Sequence, residues 1–62
     1  MKPVYPRVMT VAEVAEFLRI GKTTAYELIK EGDIPSMKVG RQVRIFRDDL
    51  MAYVRSTRTI EK

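Results

Sequence analysis

The chain has 62 residues, with twelve Lys and Arg against eight Asp and Glu, a formal net charge of +4, and neither Cys nor His. This excludes a disulfide scaffold, leaves only carboxylates as zinc ligands, and removes the side chains that most often serve as nucleophile and general base, so no catalytic, metal or cofactor site is expected. There is room for one domain with a small core. No apolar run approaches the roughly 20 residues that cross a bilayer, and the start MKPVYPRVMT lacks the hydrophobic stretch of a signal peptide. A cytoplasmic, nucleoid-associated protein is expected. The calculated pI near 9.8 favours polyanions, nucleic acid before anionic membrane, although a modest excess of charge also keeps small proteins soluble.

Pro3 and Pro6 make residues 1–8 an extended lead-in. Thr10 and Glu13 then stand at capping-box spacing, each side chain placed to satisfy the other's backbone N–H. Val11, Val14, Ala15 and Leu18 follow at helical spacing with Phe17 beside them, which predicts a first helix over 11–18. RIG interrupts it, and Gly21 serves as the next N-cap. KTTAYELIKEG predicts a second helix over 22–31, with Ala25, Leu28 and Ile29 inward and with Gly32 and Pro35 as stops. Two short helices joined by about three residues form a helix-turn-helix pattern.

Residues 36–46, SMKVGRQVRIF, predict a two-stranded hairpin. Facing residues share a face. A two-residue loop at Gly40 and Arg41 pairs Lys38 with Val43, mixing charge with apolar surface. A three-residue loop, Gly40-Arg41-Gln42, pairs Val39 with Val43, Lys38 with Arg44 and Met37 with Ile45. The second register gathers four apolar residues on one face and is preferred. It also sets Lys38 opposite Arg44, a repulsion that an anion between them would relieve. RDDLMAYV predicts a third helix over 47–55. Asp48 and Asp49 sit at its positive end, and Leu50, Tyr53 and Val54 face inward. Residues 56–62 form a polar tail. No repeat or linker is present.

With Ala25, Leu28 and Ile29 inward, a rotation of about 100° per residue points Thr23, Glu27 and Lys30 outward, with Tyr26 on one flank and Lys22 in the first turn. Mixed hydrogen-bonding groups on one helix face suit base edges in a major groove, although any solvated helix looks similar. Lys38, Arg41, Arg44 and Arg47 fall within ten residues with no acid among them. Solvated surfaces usually interleave signs, and Arg binds phosphate through paired hydrogen bonds. The plainer alternative is an edge hairpin kept soluble by cations.

The run TVAEVAEFLRIGKTTAYELIKEGDIPSMKVGRQVRIFRDDLMAYV closely resembles the excisionase-type winged helix-turn-helix family, related to the DNA-binding part of MerR-type regulators. The resemblance spans about residues 9–54 and lies in the ordered set: helix, turn, helix, Gly, IP, basic hairpin with a Gly-Arg tip, then RDDL opening a last helix. It implies an α+β fold of three short helices with a two-stranded hairpin wing between the second and third, occupying residues 9–55. In such proteins the second helix enters the major groove and the wing reaches the backbone or minor groove beside it. That places Gly21, Lys22, Thr23, Tyr26 and Lys30 on the recognition helix and Lys38, Arg41 and Arg44 on the wing. Many relatives are more basic where this chain has Glu27, which repels phosphate yet accepts from cytosine N4. Gly21 replaces a Ser-like cap.

The implied function is sequence-specific binding of double-stranded DNA by a small architectural protein. The first expectation is an excisionase, a recombination directionality factor that helps an integrase excise a phage or integrative element. Its partners would be that integrase and further copies of itself on adjacent sites. A small transcription regulator is the alternative. A protein-binding adaptor is a lesser one, since it would need an exposed apolar stripe. An enzyme is not expected, because the adjacent carboxylates Asp48 and Asp49 have a helix-capping explanation.

Overall fold

The computed structural model describes residues 5–57. Six elements follow in order: β1 (Val8–Thr10), α1 (Val11–Leu18), α2 (Lys22–Lys30), β2 (Met37–Val39), β3 (Gln42–Phe46) and α3 (Arg47–Thr57). The three helices and the hairpin between α2 and α3 match the expected α+β winged architecture. The lead-in adds something that was not expected. Its last residue, Val8, and the two that follow form β1, which pairs antiparallel with β3, so the sheet has three strands in the order β1-β3-β2. The third helix also runs past residue 55 through Ser56 and Thr57, and the rest of the predicted tail lies outside the described residues.

Local chemistry explains where the helices begin and end. At the start of α1 the Thr10 hydroxyl accepts from Glu13 N–H at 3.1 Å, and Glu13 Oε1 accepts from Thr10 N–H at 2.9 Å. This reciprocal box satisfies donors that a helix start otherwise leaves open. The helix ends in a left-handed residue, Arg19 at φ 59°, which lets Ile20 N–H reach Ala15 O at 3.0 Å. The turn thus takes its positive φ from Arg19, while Gly21 is extended. Helix α2 ends in the same way on Gly32 (φ 87°). Gly32 N–H donates to Ile29 O at 3.1 Å and Asp33 N–H to Leu28 O at 3.0 Å, the paired bonds of a Schellman cap.

The core takes side chains from every region except β2. Met9 of β1, Val14 of α1, Ala25 of α2, Ile34 of the following loop, Ile45 of β3 and Leu50 of α3 are all fully buried, and Val11 and Ala15 join them. Leu28, Ile29, Tyr53 and Val54 pack on this cluster from partly buried positions. Tyr5 packs edge-on against Phe17 with ring centroids 5.5 Å apart.

The hairpin register corrects the expected one. The observed pairs are Met37 with Arg44, Lys38 with Val43, and Val39 with Gln42, closed by the two-residue loop Gly40-Arg41. Gly40 has φ 62°. A positive φ at the first central position is what a tight two-residue hairpin of the II′ type needs, and glycine supplies it without strain. The three-residue loop would have let the hairpin pair its own apolar residues. The protein has no need of that, because β1 lays fully buried Met9 opposite fully buried Ile45. Lys38 and Arg44 are therefore not opposed, and the expected repulsion between them does not exist. Nor does the sheet divide into one apolar and one cationic face. Its outer side carries Val8 and Phe46, then Thr10, Arg44 and Met37, then Gln42 and Val39, with Val39 56% exposed.

Candidate nucleic-acid interface

The pairing of β1 with β3 controls the site. It sets Thr10 directly opposite Arg44 and so brings the start of α1 beside the hairpin. The first turns of α2 stand on the other side. Between them lies an open groove of about 430 Å³. Thr10, Val11 and Ala12 form one wall, Lys22 and Tyr26 of α2 a second, and Arg41, Gln42, Val43 and Arg44 a third.

The groove is electropositive by construction. Lys22 and Arg41 are exposed, and among the described residues no acid forms an ion pair with either. Lys22 occupies the first position of α2, at the positive end of the helix dipole, where a cation is disfavoured. The other two helices carry acids in their first turns, Glu13 in α1 and Asp48 and Asp49 in α3, whereas α2 has none. Its cap, Gly21, makes no side-chain hydrogen bond. Arg44 is half-buried and has two acceptors: Nη1 donates to Val43 O at 2.9 Å, and Nη2 donates to Gln42 Oε1. Tyr26 is 53% exposed, an aromatic ring held out from the helix rather than folded onto the core.

Of the nine residues singled out from the sequence, Lys22, Tyr26, Arg41 and Arg44 meet in this groove. Thr23, Glu27 and Lys30 are exposed on α2 but do not line it, and Gly21 caps the helix with open space around it. Lys38 is exposed on β2, also outside the groove. Arg47 leaves the basic cluster altogether. Its Nη1 donates to Tyr5 O at 2.7 Å and its N–H to Arg7 O at 2.6 Å, so it ties the lead-in to the sheet. The groove residues not expected from sequence are Thr10, Val11, Ala12, Gln42 and Val43. The capping box had marked Thr10 as a helix start, but only the β1–β3 pairing reveals its neighbour.

Among the described residues no cluster of three or more potential metal ligands occurs, and no helix is long and apolar enough to cross a membrane. No solved structure gives a significant match to this chain. A Bacillus subtilis protein named "Uncharacterized protein YvgK" is 48% identical over 44 residues, 71% of this chain and 14% of that protein. A Mycobacterium tuberculosis protein named "Putative DNA-binding protein" is 44% identical over 39 residues, 63% of this chain and 50% of that one. A further relative from that organism, named "Putative antitoxin VapB50", is 37% identical over 51 residues, 82% of this chain and 39% of that one. The chain thus spans half or less of the length of these relatives. The family model described as a helix-turn-helix domain matches residues 8–58, the whole of the folded region just described, and the chain belongs to that family.

Proposed function

We propose that this protein binds double-stranded DNA through the groove between α2 and the hairpin. The observation that carries the reading is the meeting of Lys22, Tyr26, Arg41 and Arg44 in one open groove whose exposed cations have no acidic partner among the described residues. Phosphate contacts by such cations supply affinity and set the register on the duplex. Thr23, Glu27 and Lys30, exposed further along α2, then face base edges. Glu27 is suited to accept from cytosine N4, which gives discrimination rather than affinity. Lys38 adds a phosphate contact from the hairpin, and Gly21 lets the backbone approach closely. The resemblance to a relative named for DNA binding supports the same reading.

Within DNA binding, the proposed role is that of an excisionase-type architectural protein of the winged branch related to MerR-type regulators. It occupies adjacent sites as several copies and assists an integrase. A second reading, a small transcription regulator, is favoured by the relative named as an antitoxin, a name that does not point to recombination. Footprinting over the DNA around the protein's own gene separates the two. Several adjacent protected sites beside an integrase crossover point support the excisionase role. Protection confined to a promoter supports the regulator and overturns the first role.

A further inference from the structure

Gln42 is exposed at the first position of β3, directly after the hairpin loop. It shares the outer face of the strand with Arg44, two residues on. Its Oε1 accepts from Nη2 of Arg44, while the Val43 carbonyl accepts from Nη1 of the same guanidinium. A guanidinium presents five N–H donors in one plane. With two engaged on different nitrogens, the plane is fixed and three donors remain. Lys22 and Arg41 have no such restraint among the described residues.

We infer that Gln42 is a positioning residue, which holds the Arg44 guanidinium in order at the groove wall before a DNA phosphate arrives. This rests on the DNA-binding reading above. An unrestrained arginine loses rotamer freedom when it takes a phosphate, and one already held by two acceptors loses less. Gln42 itself contributes no charge to the contact and acts through Arg44.

Gln42→Met keeps the length of the side chain and removes the acceptor. In a double-mutant cycle with Arg44→Ala on a random duplex, Gln42→Met alone weakens binding roughly 2- to 12-fold, the cost of ordering one long side chain. The salt slope stays as in wild type, because no cation is lost. In the Arg44→Ala background the same substitution costs nothing. A second readout needs no DNA: NMR of the Arg44 guanidinium in the free protein shows hindered rotation in wild type and faster rotation in Gln42→Met. Equal cost in both backgrounds overturns the inference by making Gln42 a DNA contact in its own right. No cost in the wild-type background, or unchanged guanidinium rotation, also overturns it. Failure of the wild type to bind any duplex refutes the DNA-binding reading instead, and the NMR comparison still decides whether Gln42 orders Arg44.

Discussion

Arg47 offers a test of how the structure sorts the cations of the hairpin region. Arg47→Ala removes the hydrogen bond from Nη1 to Tyr5 O, 2.7 Å long, and leaves the backbone bond to Arg7 in place. A hydrogen bond from a charged donor contributes about 1.5–3 kcal/mol. Here the donor is half-buried and the released carbonyl can turn to water, so the loss falls at or below the lower end of that range, about 1–2 kcal/mol. The loss includes whatever the Tyr5–Phe17 ring contact gives up when the lead-in loosens. In a domain of this size each kcal/mol shifts the melting temperature by about 4–8 °C, so a fall of about 4–16 °C is expected by circular dichroism. DNA affinity and its salt dependence, measured well below the melt, should match wild type. A wild-type melt combined with a salt slope reduced by about 1 would mean that Arg47 contacts phosphate, and the structural role assigned to it would be wrong.

Leu50→Ala empties a fully buried site at a cost of about 2–5 kcal/mol, against a total stability of about 3–5 kcal/mol, and should leave little folded protein at about 37 °C by circular dichroism. Leu28→Ala, at a half-buried site, should cost clearly less, and the reverse order would contradict the core described above. Gly40→Ala forces an L-residue to φ 62° and should lower stability by about 1–2 kcal/mol in denaturant titration; an unchanged midpoint would argue against the two-residue loop. Desolvation, then the charges of Glu16 and Glu13, hold the Tyr5 phenol above its ordinary pKa of 10.0. Because the folded value is raised, the associated stability is complete below that ordinary value and is lost as pH rises through the folded one. Ultraviolet titration of wild type minus Tyr5→Phe should show a late-ionising phenol whose midpoint falls in Glu16→Gln, and a midpoint at or below the ordinary value would refute this.

The helices were legible because their signals are local. Thr10 and Glu13 announce a helix start three residues apart, and Gly32 announces a stop. The hairpin was legible as a hairpin but not in its register. Choosing the register required knowing what covers Ile45, and the answer is Met9, more than thirty residues away and just after a lead-in with no strand pattern of its own. The same omission hid the groove, since Thr10 meets Arg44 only through that pairing. Ile34 was missed from the core because a lone apolar residue in a loop carries no periodicity. Arg47 looked like its neighbours in sequence, and only the position of the Tyr5 carbonyl separates it from them.

The central claim is that Lys22 and Arg41, on opposite walls of one groove, bind the phosphates of a duplex. The direct measurement is an anisotropy titration of a labelled random duplex with wild type, Lys22→Ala and Arg41→Ala over a range of salt concentrations. Wild-type binding should weaken steeply as salt rises, and each substitution should reduce the slope of log K against log salt by about 0.9 without lowering the melting temperature. Duplex binding that ignores salt, or a wild-type slope in both variants, would contradict the claim and leave the groove's cations as solubilising charges.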